Sequence, residues 1–124
     1  MITYVMTQAE NELAQIIWEA EPVQSGQLVK LAAERLGWKK STTYTVLRKI
    51  CENGIFQNND TVVSSLMSRE EYARRKGENY LEENYGGSLP KFVAAFLQHR
   101  KLSRKDLEEL EKLIDYYGED LRAH

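Results

Sequence analysis

Four cations, Lys39, Lys40, Arg48 and Lys49, lie within residues 38–50, and no carboxylate lies among them. Ser41, Thr42, Thr43, Tyr44 and Thr45 fill the interval between the two basic pairs. Ammonium and guanidinium groups are suited to phosphate oxygens, which they meet through charge-assisted hydrogen bonds. Short hydroxyls and a phenol reach base edges or further phosphate oxygens. The chemistry implied is non-covalent recognition of a polyanion. Over the whole chain 17 basic residues face 19 acidic ones, a formal charge of −2. The cations are thus a local concentration in an acidic protein, which argues for a defined patch and against unspecific coating of nucleic acid or membrane. A charge run is most often only a solvated helix face. Three features favour recognition here: the missing acids, the interleaved hydroxyls, and the place of the segment in the order of elements below.

Other chemistries lack their residues. No Ser/His/Asp or Cys/His arrangement, phosphate-binding glycine loop or His-rich metal motif occurs, so neither an enzyme nor a cofactor is expected. The carboxylates stand at helix starts and on outer faces. His99 and His124 are far apart and lack ligand spacing, so no metal site is expected. The single cysteine, Cys51, has no internal partner; it reads as an inert, buried thiol in a reducing cytoplasm. No secretion signal is read at the start and no run of roughly 20 apolar residues is present, so a cytoplasmic protein without membrane contact is expected.

The elements that would position the patch follow from periodicity and punctuation. "TQAE" has the capping-box form, with Thr7 and Glu10 opening a first helix whose apolar face is Leu13, Ile16 and Ile17 and whose end is Pro22. "PVQ" suits a short strand. Ser25 reads as the cap of a second helix, with Leu28, Leu31, Ala32 and Leu36 inward and Gly37 closing it. A third helix is predicted over residues 41–53, ended by Gly54. It places Thr43, Val46, Leu47 and Ile50 on one side, and Ser41, Thr42, Thr45, Arg48 and Lys49 on the other. Trp38 reads as a packing residue at its start, and Tyr44 lies at the edge of the polar face. "IFQNNDTVVSSLM" predicts a β-hairpin turning at "NND". "SREE" opens a long helix to about Asn84, and "YGGS" breaks it. Ser88 caps a fifth helix with Pro90 in its first turn and Leu89, Phe92, Val93, Phe96 and Leu97 as its apolar face. Ser103 with Asp106 opens the last helix, striped with Leu107, Leu110, Leu113, Ile114 and Tyr117 and ending before Gly118.

The predicted fold is mainly α with a small β-hairpin: a winged helix-turn-helix over residues 1–67, followed by a helical lobe over residues 68–124. A winged helix-turn-helix lays one helix in the major groove and sets its hairpin beside the backbone. The expected partner is therefore double-stranded DNA, met by Lys39, Lys40, Ser41, Thr42, Tyr44, Thr45, Arg48 and Lys49. Within that set, Thr42, Thr45 and Lys49 are expected to face the groove, with Lys39 and Arg48 nearer phosphates. Three short helices enclose too little interior to hide every apolar side chain. Phe92, Phe96, Leu107, Leu110, Ile114 and Tyr117 are therefore expected to meet a second copy in a homodimer. A second possibility is a winged-helix module that has lost DNA binding and serves protein interaction. The wing "QNNDTVVSS" motivates it, having no Lys or Arg and carrying Asp60.

"AENELAQIIWE", "GWKKSTTYTVLRKICENG", "SREEY" and "LSRKDLEELEKLI", in that order and spacing, resemble the penicillinase repressor family (BlaI/MecI-type transcriptional regulators). The likeness runs from about Thr7 to Tyr117. It implies a winged-helix repressor that binds an inverted-repeat operator as a dimer through its C-terminal lobe. Trp38 matches the family tryptophan before the recognition helix, Thr42 and Thr45 its DNA-side threonines, and Gly54 its closing glycine. "KFVAAFLQ" matches the region cut by a sensor-activated protease, so the resemblance implies cleavage between Ala95 and Phe96 and that protease as a further partner. Many members carry Asn where this chain has Ala95. The cysteine-rich C-terminal motif of the copper-responsive branch does not occur.

Overall fold

The computed structural model describes residues 4–122; His124, not expected to ligate a metal, lies outside them. Helix α1, Gln8–Ala20, begins on the expected capping box. Thr7 Oγ1 accepts from the Glu10 backbone N–H at 3.2 Å, and Glu10 Oε1 accepts from the Thr7 N–H at 3.1 Å. The helix stops at Glu21, before Pro22. Strand β1, Val23–Gln24, follows, then α2, Ser25–Leu36. Ser25 is already helical: the cap position is Gln24, without a side-chain bond, and the Ser25 N–H is taken by the Thr61 carbonyl at 2.8 Å. Gly37 closes α2 with φ +69°, a left-handed turn that a side chain would strain.

Helix α3, Lys40–Glu52, starts one residue before the predicted boundary, with Lys39 at its cap. Strands β2, Phe56–Asn59, and β3, Val62–Ser65, form the hairpin, and the sheet runs β1-β3-β2, antiparallel throughout. Its turn is Asp60–Thr61 rather than "NND": both residues have positive φ, +48° and +71°, as a tight two-residue hairpin turn requires. A β-branched threonine resists that conformation. Two bonds hold it there, Thr61 Oγ1 to Gln24 Oε1 at 2.9 Å and the Thr61 carbonyl to the Ser25 N–H.

Helix α4, Arg69–Tyr85, follows, with Ser68 Oγ accepting from the Glu71 N–H at 3.0 Å while the Glu71 carboxylate bonds Arg75. Gly86 and Gly87, both at positive φ, break the chain before α5, Leu89–His99, and α6, Arg104–Arg122. Gly118 does not end α6, which continues one further turn through it. Glycine inside a helix costs only about 1 kcal/mol relative to alanine, and the neighbours Glu119, Leu121 and Arg122 are good helix formers.

The fold is that of a winged helix-turn-helix followed by further helices. Two compact units divide it, and the division falls between Tyr80 and Leu81 inside α4. In the first unit Leu13, Ile17, Leu28, Ile50, Ile55, Phe56 and Val63 are fully buried. Trp18 lies over Phe56 at 5.2 Å between ring centroids and beside Tyr72 at 6.0 Å. Tyr72, itself buried, accepts at its hydroxyl from the Met6 N–H at 2.8 Å.

The second unit lacks such an interior: no residue of α5 or α6 is buried. Phe92 stands edge-on to Tyr85 at 5.4 Å and to Phe96 at 4.7 Å, yet Phe96 remains 49% exposed. Of the apolar face predicted to point inward along α5, Phe92, Val93, Phe96 and Leu97 line an open groove of about 340 Å³, shared with Leu102, Leu110 and Leu113, and Leu89 is exposed.

Candidate nucleic-acid interface

The two sides of α3 are sharply divided. Thr43, Leu47 and Ile50 are buried against α1 and α2, with Val46, Tyr44 and Cys51 half-buried on the flanks. Ser41, Thr42, Thr45, Arg48 and Lys49 are exposed in one continuous stripe, and Lys39 and Lys40 project at its N-terminal end. Seven of the eight residues selected from sequence thus share one open surface. Tyr44 stands at its edge, its hydroxyl 3.5 Å from Ser25 Oγ.

Two threonines are turned onto the helix backbone. Thr43 Oγ1 donates to the Lys39 carbonyl at 3.1 Å, and Thr45 Oγ1 donates to the Ser41 carbonyl at 2.9 Å. With its proton so engaged, Thr45 offers the solvent an acceptor oxygen and a methyl group. A base edge that meets it must supply an amine or a methyl partner.

The cations of the stripe are not spent on carboxylates. Among the described residues the ion pairs are Arg35–Glu19, Arg74–Glu78 and Arg75–Glu71, none of which involves residues 39–49. One buried acid nevertheless acts on the patch. Glu10 is 2% exposed and lies close enough to Lys49 for that charge to lower its pKa. Burial alone would raise the Glu10 pKa. The Thr7 N–H, the Tyr4 hydroxyl at 2.8 Å, the Thr7 hydroxyl and Lys49 together outweigh it. Linear sequence shows residues 38–50 free of acids but not this neighbour, which α1 carries in from 39 positions away.

The wing is short and tied down. Its tip is bonded to Gln24 and Ser25, while Gln57 and Asn59 bond one another at 3.2 Å and Gln57 bonds Ser64 at 3.2 Å. Asn58, absent from the residues selected by sequence, borders a groove with Tyr44, Leu47, Arg48 and Cys51. Strand alternation was the signal that could have found it: Asn58 is two residues from the buried Phe56 and shares its face. The Cys51 thiol in that groove has its pKa pushed up by burial and by Glu52, which leaves it a poor nucleophile.

The residues expected to pair two copies are also placed. Phe92 is half-buried, whereas Phe96, Leu107, Leu110, Ile114 and Tyr117 are exposed by 41–64%. Ala95 is half-buried on α5. Among the described residues no group of three or more His, Cys, Asp or Glu is arranged to hold a metal ion, and no helix is long and apolar enough to cross a membrane.

Comparison with known proteins agrees with this architecture. A family model described as Penicillinase repressor matches residues 6–116. The penicillinase repressor of Bacillus licheniformis is 22% identical over 114 residues, covering 89% of each chain. The methicillin resistance regulatory protein MecI of Mammaliicoccus sciuri is 22% identical over 117 residues, 91% of this chain and 95% of its own. The penicillinase repressor of Staphylococcus aureus is 21% identical over 114 residues, 89% of this chain and 90% of its own.

Proposed function

Because this chain belongs to the penicillinase repressor family, a family of transcriptional repressors and not of enzymes, we propose that it is a sequence-specific repressor that binds an inverted-repeat operator as a homodimer in the cytoplasm. The observation that carries this is the exposed stripe of α3, basic and hydroxylic, with an apolar opposite side held in the core. Residues 1–67 are the DNA-binding part. Thr42, Thr45 and Lys49 meet base edges in the major groove, with Lys39 and Arg48 on phosphates and Lys40, Ser41 and Tyr44 completing the contact. Residues 68–124 form the dimerisation lobe. The exposed apolar side chains of α5 and α6 support that role, because a monomer rarely leaves so many in water. Release from DNA follows proteolysis at Ala95–Phe96 by a sensor-activated protease.

An electrophoretic shift with promoter fragments from the source genome tests the central claim. Specific fragments are retained over unrelated DNA, and binding weakens steeply as salt rises, through counterion release. Equal affinity for unrelated DNA, or no shift at low salt, would overturn it. The second outcome would favour a module for protein interaction, a role that the wing with its Asp60 and no Lys or Arg would also suit.

A further inference from the structure

We propose that Arg48, Asn58 and the Tyr44 hydroxyl form a seat for one phosphate of the DNA backbone, with Asn58 as the wing's single donor to it. This rests on the assignment of the chain as a DNA-binding repressor and adds a residue and a ligand group to it. The seat is the groove of about 350 Å³ lined by Tyr44, Leu47, Arg48, Cys51 and Asn58. Its floor is the buried Leu47 and half-buried Cys51; its rim is the exposed Arg48 and Asn58. The two rim groups come from different elements, α3 and β2, and face one cleft.

Among the described residues, neither Arg48 nor Asn58 engages its side chain in a hydrogen bond or ion pair. That sets Asn58 apart from its neighbours, since Asn59 donates to Gln57 and Gln57 donates to Ser64 on the other face of the strand. The Tyr44–Ser25 contact at 3.5 Å is longer than an ordinary O–H···O bond, so the phenol proton is available to a better acceptor. The guanidinium, the amide N–H₂ and the phenol O–H each supply a donor, and the oxygens of a phosphodiester accept from all three.

Position favours phosphate over a base edge. Consecutive helical residues are about 100° apart, so Tyr44 is turned by that angle from Thr45 and the groove opens on the flank of α3. A helix seated in the major groove presents its outward face to base edges and its flanks to the two backbones. A wing without Lys or Arg then still contributes to affinity, through an amide aimed by the strand.

Binding of the full-length chain to its selected operator, followed by fluorescence anisotropy, tests the seat. Arg48→Ala and Asn58→Ala should each weaken every sequence about tenfold and leave base preference unchanged. Arg48→Ala should also make the slope of log K against log salt shallower by about one, whereas Asn58→Ala should not. The double variant should lose clearly less than the product of the two single losses, because both groups hold one phosphate. Asn58→Asp, nearly the same size, should bind more weakly than Asn58→Ala. Melting curves check the fold of each variant, and Asn58→Ser replaces the alanine if that one melts early. An Asn58→Ala protein with wild-type affinity, a changed base preference, or losses that multiply fully would overturn the seat. A wild-type chain that binds no operator would instead remove the repressor assignment itself.

Discussion

The indole N–H of Trp18 donates to the carbonyl of Met67 at 3.0 Å, joining α1 to the segment that leads into α4 across 49 residues of sequence. The same ring lies over Phe56, beside Tyr72 and beneath the Arg69 guanidinium at 5.8 Å. One half-buried side chain therefore ties the first helix, the hairpin and the start of α4 together. Trp18→Ala should destabilise the first unit by about 3 kcal/mol or more. Trp18→Phe, which keeps the ring contacts and orphans the carbonyl, should cost about 1 kcal/mol. Urea unfolding of the two variants measures the difference.

Glu10 predicts an acid-side dependence of stability. Its pKa in the folded chain is lowered from 4.5, so the native state holds the carboxylate more firmly than the unfolded chain does. The stabilisation is therefore fully present above the unfolded value, near pH 4.5, and is lost as pH falls through the lower folded value. Glu10→Gln should be less stable than the wild type at pH 7, and the gap should narrow below pH 4.5 as both side chains become neutral. Tyr4→Phe, which removes one donor to Glu10, should move in the same direction by less. Denaturant midpoints between neutral and acid pH decide this; a pH-independent gap would assign the effect to packing.

Much of this was legible because short-range rules were obeyed. The Thr7–Glu10 box, Pro22, Gly37 and the 3.6-residue spacing of Leu13, Ile16 and Ile17 each specify a local conformation that the core then accepts. What was missed depends on contacts distant in sequence. The hairpin turns at Asp60–Thr61 because Gln24 and Ser25 bond Thr61, which no inspection of "NND" could reveal. The Asn58 groove needs β2 to be laid beside α3, and the Glu10–Lys49 proximity needs α1 to be packed on α3. Along α5 and α6 the apolar stripes were visible, but periodicity alone does not say whether such a stripe lines an interior or an open groove.

Lys39 and Thr45 should fail differently. Lys39 caps α3 with an exposed ammonium, so Lys39→Ala should weaken all DNA sequences about equally and reduce the salt slope by about one. Thr45 carries an oxygen whose proton is engaged by Ser41, and a methyl group beside it. Thr45→Val keeps the methyl and removes the acceptor; Thr45→Ser does the reverse. Whichever group reads the base, its loss should relax preference at one step by roughly 1 kcal/mol or more. Binding selections with both variants identify the group, and sequence-blind losses from all three substitutions would refute the division of roles.

Truncation separates folding from assembly. A chain ending at Tyr80 retains Tyr72, whose hydroxyl bonds Met6 and whose ring meets Trp18, so the first unit should stay folded. It lacks the exposed apolar residues of α5 and α6 and should sediment as a monomer. Operator affinity should drop steeply, since two half-sites no longer act through one linked molecule. A stable dimer of the truncated chain would move the interface into the first unit.

Cleavage at Ala95–Phe96 makes the most exacting prediction. The bond lies inside α5, and a protease needs an extended backbone, so the helix must open locally before it is cut. Gly86 and Gly87 precede α5 at positive φ, and no residue of α5 is buried, so little packing within the second unit opposes such opening. Pairing of two copies through Phe92 and Phe96 would bury the bond's surroundings and slow the cut. Free or weakly paired chains should therefore be cut first. Once cut, α6 and the C-terminal part of α5 separate from the DNA-binding half, which then binds as the truncated chain does, without any change in α3. Intact-mass measurement of the protein from induced cells should find a fragment ending at Ala95, and its yield should rise as total repressor falls. Induction with only full-length chain present would exclude this route and leave a sensed ligand or control of protein abundance as the switch.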